Sequence, residues 1–137
     1  MVSKDIILNK TQVIERCLKR VAEEYENNPD NLNIILKQDS IILNIQRACE
    51  AAISLAMHIV AEEGLGVPQY SRDAFVLLAK HGIINNHLAK QLQGMVGFRN
   101  IAVHDYQNLD LAIMQKIIEH NLTDLEEFTS RLISLYI

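Results

Sequence analysis

The segment from residue 40 to about residue 63 is apolar around most of the circumference of a helix. A helix with one buried face carries its apolar residues in a single stripe, with charged residues opposite. Here the apolar positions lie on nearly all sides, so this helix must be central, packed on several neighbours or on a second copy of the chain. Asp39 or Ser40 is expected to cap its start. Its apolar positions are Ile41, Ile42, Ile45, Ala48, Cys49, Ala52, Ile53, Leu55, Ala56, Ile59 and Val60.

The remaining segments also have helical periodicity, with apolar residues three and four positions apart and with only two prolines. Gly94 and Gly97 lie inside the fourth predicted helix, where they permit close approach of another helix or a ligand. We therefore predict an all-α protein, a compact bundle of five or six helices in a single domain spanning residues 1–137. The first four predicted helices lie at about 5–26, 40–63, 71–82 and 85–104, and the third of them is capped by Ser71 and closed by Gly82. Two more helices are predicted after these. One begins at the cap Asp110, and the other begins at a capping box formed by Thr123 and Glu126.

Composition excludes several classes of protein. No apolar run approaches the roughly 18 residues that a membrane-spanning helix needs, so we expect a cytoplasmic protein with no membrane partner. Cys17 and Cys49 lie in separate helical patterns and are expected to be buried apolar residues, not a disulfide or metal ligands. The net charge of −4 argues against nucleic-acid binding through a broad basic face, so any RNA site must be a local positive cleft.

Three side chains of different chemistry, those of Arg99, His104 and Tyr106, lie within the segment from residue 97 to residue 106. Arg99 can bind a phosphate with two parallel hydrogen bonds, and His104 can transfer a proton near neutral pH. Tyr106 adds a hydroxyl that can be modified. Together these groups suggest chemistry on a phosphodiester.

The spacing of these residues limits how they can meet. Arg99 and His104 are about 140° apart on an ideal helix, whereas Asn100 and His104 share a face. We therefore expect the helix to end near His104, which would turn His104 and Tyr106 toward Arg99, and we expect a second copy of the chain to complete the site.

The segment Arg-Asn-Ile-Ala-Val-His-Asp-Tyr at 99–106 resembles the R-x4-6-H signature of HEPN-domain ribonucleases. Its extended form, with a tyrosine two residues after the histidine, is similar to HepT toxins of HepT/MntA toxin–antitoxin pairs. The resemblance extends in order over roughly residues 40 to 106. It includes segments 44–46, 50–53, 58–68 and 70–75.

The resemblance implies a metal-independent endoribonuclease toxin of a type II-like pair, active as a homodimer and without a cofactor. Arg99 and His104 would be the catalytic pair, and Asn100 would assist or orient them. Tyr106 would be the residue that an MntA-like nucleotidyltransferase antitoxin modifies with AMP to silence the toxin.

Elementary chemistry suggests the same reaction. Without a metal, RNA is cleaved when its own 2′-OH attacks the adjacent phosphorus, which requires a proton acceptor and a proton donor, and an imidazole can serve as either. The alternative from another functional class is a non-catalytic helical partner that docks a nucleotidyltransferase and helps hold its nucleotide. His104→Ala distinguishes the two, since only the enzyme would lose an activity while still forming the complex.

Overall fold

The computed structural model describes residues 1–137 and contains six α-helices and no strands, which confirms the predicted all-α bundle. A short 3₁₀ helix, Pro29–Asn33, precedes the second helix, and another, Tyr106–Asn108, follows the fourth. The helices are α1 (Lys4–Tyr25), α2 (Ile35–Glu62), α3 (Ser71–Lys80), α4 (Asn86–His104), α5 (Leu111–Lys116) and α6 (Leu122–Tyr136).

The α2 helix is the centre of the bundle, as its all-round apolar pattern predicts. It contacts α1 most extensively and also packs against α3, α4 and α6. Full burial of a large aliphatic side chain contributes roughly 1.5–3 kcal/mol, so this helix holds much of the hydrophobic stability of the domain. Its fully buried side chains include Ile41, Ile45, Leu55 and Ile59.

The predicted start of α2 at Asp39 or Ser40 is wrong. The helix begins at Ile35, where the chain leaves the 3₁₀ helix through an extended Ile34, and no side chain caps it. The N–H of Gln38 donates to the carbonyl of Ile34 at 2.8 Å, so the backbone hydrogen bonds of the helix begin about one turn before Asp39 and Ser40. Asp39 therefore lies inside α2, and its carboxylate is not used as a cap.

Two other predicted helix starts also differ from the structure. The cap of α3 is Tyr70, not Ser71, since the Asp73 carboxylate accepts the N–H of Tyr70 at 2.9 Å. The capping box of Thr123 and Glu126 does not form, because a π-helical segment, Ile117–Asn121, joins α5 to α6 without a break.

The predicted helix start at the cap Asp110 and the predicted helix end at Gly82 are confirmed. The Asp110 carboxylate accepts the N–H of Ala112 at 2.8 Å, and Gly82 has a left-handed φ of 76° beyond the end of α3. Left-handed backbone favours glycine because a side chain there is strained.

Cys17 and Cys49 are both buried and unpaired, as expected of small apolar residues. Burial raises the pKa of Cys49 to about 12, with a smaller opposing effect from the Arg99 guanidinium. No helix is long and apolar enough to cross a bilayer.

Truncation of the centre of α2 should be far more costly than truncation at its exposed start. Leu55 is fully buried, whereas Leu36 is 82% exposed. We expect Leu55→Ala to lower the free energy of unfolding by about 2–5 kcal/mol through lost burial and the cavity left behind. Leu36→Ala is the matched control and should change it by under about 0.5 kcal/mol. Urea denaturation of both variants at one protein concentration measures the difference, and equal losses would contradict a core centred on α2.

Candidate active site at the end of α4

The α4 helix positions three of the four predicted site residues. It begins after Asn85, whose side-chain oxygen accepts the N–H of Leu88 at 2.7 Å, and it ends at His104. Its core-facing side near the end carries Phe98 and Ala102, both buried. Because Phe98 and Ala102 face the core, Arg99 is half-buried, and Asn100 and His104 are exposed to solvent.

Arg99 is a cation without an acidic partner. Its Nε is buried and forms no hydrogen bond, and the residue takes part in none of the ion pairs of the fold. A buried donor without a partner is costly, so such an atom in a folded domain needs an explanation. The geometry leaves this guanidinium available to an anion.

Arg99 lines a cavity of about 290 Å³ between α4 and the start of α3. Arg72 also lines it and forms no ion pair. No acidic side chain lines the cavity, so it is locally positive in a chain whose net charge is −4. The other lining residues are Tyr70, Ser71, Gln93, Val96, Gly97 and Asn100.

His104 is the last residue of α4, and the helix is unbroken between Arg99 and His104. Five residues correspond to about 140° of rotation and about 7.5 Å along the axis. The helix thus ends near His104 as expected, but it ends after this residue, so His104 is not turned toward Arg99 within one chain. Asn100, four residues earlier, lies on the same side as His104.

Tyr106 lies in the 3₁₀ helix just beyond α4, and this turn directs it toward α2. The amide of Asn108 donates to the Asp105 carboxylate at 2.8 Å, which stabilises the turn. The Tyr106 hydroxyl donates a hydrogen bond to the carboxylate of Asp39. Burial of the ring and this hydrogen bond raise the pKa of Tyr106 to about 12. The expected turn of Tyr106 toward Arg99 is therefore replaced by a contact with α2.

Two residues of this region were not predicted to belong to the site. Asp39 was considered only as a helix cap, because nothing in the sequence links it to a tyrosine 67 positions away. Arg72 lay in a matching segment without an assigned role, and its position at the start of a helix was the only available signal.

The histidines outside this region form no metal-binding cluster. The Nε2 of His58 accepts the N–H of Ser3 at 3.0 Å, which ties the start of the chain to α2. The fold contains no group of three or more His, Cys, Asp or Glu side chains arranged as metal ligands.

An all-helical bundle with this Arg, His and Tyr arrangement at the end of its fourth helix is a HEPN-type domain, and comparison with known proteins agrees. The family model described as ribonuclease HepT-like matches residues 7–132. The mRNA nuclease HepT of Shewanella oneidensis is 48% identical over 124 residues, which cover 90% of this chain and 93% of that protein. The tRNA nuclease HepT of Aphanizomenon flos-aquae is 35% identical over 66 residues, which cover 48% of this chain and 45% of that protein.

Solved structures give the same result. A tri-AMPylated HEPN toxin of Shewanella oneidensis in complex with an MNT antitoxin superposes with a TM-score of 0.91 at 45% identity, covering 96% of this chain and 99% of that one. The chain belongs to the HepT-like ribonuclease family.

The surroundings of Tyr106 predict that its phenol ionises at a higher pH than an ordinary tyrosine does. Subtracting the absorbance titration of Tyr106→Phe at 295 nm from that of the wild type isolates this phenol, and its midpoint should lie near pH 12, above the ordinary 10. Because the folded state favours the neutral phenol, the stabilising effect is fully present below pH 10 and is lost as the pH rises through about 12. A midpoint at or below pH 10 would contradict the environment described for this side chain.

Proposed function

We propose that this chain is a metal-independent endoribonuclease toxin of a toxin–antitoxin pair, with Arg99, Asn100 and His104 as its catalytic residues. The observation that carries the proposal is the partnerless Arg99 guanidinium beside a locally positive cavity, at the end of the helix that also presents His104. Membership in the HepT-like ribonuclease family supports it. The single domain of residues 1–137 acts in the cytoplasm, where RNA and ATP are present.

The positive cavity accounts for RNA binding by an acidic chain. Phosphate contacts dominate the affinity of proteins for nucleic acids, and they need only a local cluster of cations. Arg72 and Arg99 line one cavity that no acidic side chain lines, so they can bind RNA phosphates although the net charge of the chain is −4. Arginine suits this role because its planar guanidinium binds two phosphate oxygens at once.

In the proposed reaction the 2′-OH of the RNA attacks the adjacent phosphorus, and the P–O5′ bond breaks. A His104 imidazole accepts the 2′-OH proton, and a protonated imidazole gives a proton to the leaving 5′ oxygen, each transfer contributing roughly 10²–10⁴ in rate. Arg99 stabilises the negative charge that develops on the phosphoryl oxygens. Asn100, on the side of His104, orients the imidazole or the phosphate.

A homodimer resolves the separation of Arg99 and His104 on one helix. In a shared cleft, the two His104 side chains divide the roles of proton acceptor and donor.

Apolar surface near the site supports a second copy of the chain, since the Ile101 and Ile113 side chains are 45% and 53% exposed. With Gly94 and Gly97 they line a cavity of about 460 Å³. A methyl group added at either glycine meets no atom within 4 Å apart from its neighbours in α4, so these glycines leave room for a partner and are not required by packing against other helices of the same chain.

An MntA-like nucleotidyltransferase antitoxin is the proposed second partner, and it silences the toxin by transferring AMP to Tyr106. The related Shewanella toxin is AMPylated and is bound to an MNT antitoxin. Tyr106 is 40% exposed and lies two residues after His104, so a modifying enzyme can reach it and the product stays close to the site. An AMP group there adds bulk and negative charge, which repel RNA phosphates and compete for the arginines.

Substitution of Arg99 or of His104 should strongly slow RNA cleavage without unfolding the domain. We expect Arg99→Ala and His104→Ala to slow cleavage of total cellular RNA by at least about 100-fold, because each removes charge stabilisation or proton transfer. His87→Ala, an exposed histidine at the other end of α4, is the matched control and should cleave like the wild type. Cleavage is followed by gel electrophoresis in EDTA, with intact mass confirming unmodified Tyr106.

Wild-type activity in His104→Ala would contradict the proposed mechanism. A wild type that binds the nucleotidyltransferase but cleaves no RNA would instead favour the non-catalytic partner.

A further inference from the structure

The hydrogen bond between Tyr106 and Asp39 joins the proposed modification site to the second turn of α2. Both residues are exposed, so the pair lies on the surface and a partner protein can reach it. The hydroxyl donates and the carboxylate accepts, which places a base directly on the proton of this phenol. Tyr25, at the end of α1, makes the same kind of contact with Glu119, so the Tyr106 pair is distinguished by its position beside the proposed site.

Asp39 has no structural task that would explain the contact. It lies inside α2, so it caps no helix, and it takes part in none of the ion pairs of the fold. The nearest lysine in sequence, Lys37, pairs with Glu26 at 2.9 Å. The Tyr106 hydroxyl is the one hydrogen-bond partner of the Asp39 side chain.

AMP transfer to tyrosine requires an acceptor for the phenolic proton. The phenolic oxygen attacks the α-phosphorus of ATP, a new O–P bond forms, and the bond from that phosphorus to the pyrophosphate oxygen breaks. Pyrophosphate leaves, and the phenolic proton must go to an acceptor. A neutral phenol is a weak nucleophile, so removal of its proton as the O–P bond forms lowers the barrier.

We propose that Asp39 of the toxin itself is the general base for this modification, accepting the proton of Tyr106 as the hydroxyl attacks ATP held by the nucleotidyltransferase. The inference rests on the proposed role of Tyr106 as the AMP acceptor. It makes the toxin a participant in its own silencing, since the acceptor protein supplies both the nucleophile and the base.

Loss of this contact is expected to let Tyr106 move away from α2 after the reaction. The modified oxygen has no proton left to donate, so the hydrogen bond to Asp39 is lost. Once Asp39 has passed the accepted proton to solvent, its carboxylate is again negative beside the negatively charged phosphodiester, and the two like charges repel. AMP transfer therefore releases Tyr106 from α2.

The test measures the rate of AMP transfer to the full-length chain by its nucleotidyltransferase with radiolabelled ATP, at saturating antitoxin. Asp39→Asn keeps a hydrogen-bond acceptor for Tyr106 but cannot take up its proton. We expect it to lower the maximal rate by about 10²–10⁴-fold, the range of general-base catalysis, with RNA cleavage and antitoxin affinity unchanged. Asp39→Ala should be equally slow and should be partly restored by added formate, which replaces the missing carboxylate.

Asp30→Asn is the matched control, because it removes the same charge from the neighbouring 3₁₀ helix and should label like the wild type. An Asp39→Asn rate within about threefold of the wild type would overturn the proposal. A loss confined to antitoxin affinity, with a normal rate at saturation, would also overturn it, since Asp39 would then serve docking. Absence of label on the wild type, or label on Tyr106→Phe, would instead contradict the proposed function of Tyr106.

Discussion

Burial of α2 determines where every functional group of this domain lies. Its apolar sides contact α1, α3, α4 and α6, so the rotation of α4 is set by how Phe98 and Ala102 enter the core. That rotation leaves Arg99 half-buried beside α3 and directs His104 to solvent. The same helix carries Asp39, which holds Tyr106 after α4 has ended. The geometry of the site therefore depends on the packing of α2 against its neighbours. Loss of that packing would displace the cavity beside Arg99, the His104 imidazole and the Tyr106 phenol together.

The all-helical bundle, the central α2 and the buried cysteines follow from the sequence because apolar periodicity reports directly which faces are buried. Helix starts were harder to predict. Asp39, Ser40 and Thr123 are all good capping residues, yet each lies within helical structure here, since the ladder of backbone hydrogen bonds was already formed by neighbouring turns. Capping propensity is worth about 1 kcal/mol, which tertiary packing readily overrides. The sequence thus predicted which helices exist better than where they begin.

The candidate site also contains some residues that could be predicted from the sequence and others that could not. Arg99, Asn100, His104 and Tyr106 were identified because they lie within one short segment and share a motif. Arg72 and Asp39 were not, because they approach the site through tertiary folding. Yet these two residues supply what the motif lacks: a second cation for an acidic chain that acts on RNA, and a carboxylate on the phenol. Two arginines line one cavity that no acidic side chain lines, so phosphate binding there does not require a broad basic surface. Arg99 and His104 are separated along an unbroken helix, and this separation is the physical reason for the second copy of the chain that we propose.

The central claim is that RNA is cleaved by its own 2′-OH, with proton transfer by His104. The most direct measurement compares an RNA oligonucleotide containing one mapped cleavage site with the same oligonucleotide carrying a single 2′-deoxy nucleotide immediately 5′ of the scissile phosphate. Both are incubated with the unmodified chain in EDTA, and the ends of the products are determined by mass spectrometry. The account predicts cleavage of the all-ribose strand to a 2′,3′-cyclic phosphate and a 5′-OH, with no cleavage at the deoxy position. Cleavage at the deoxy position, or activity lost with EDTA, would contradict it.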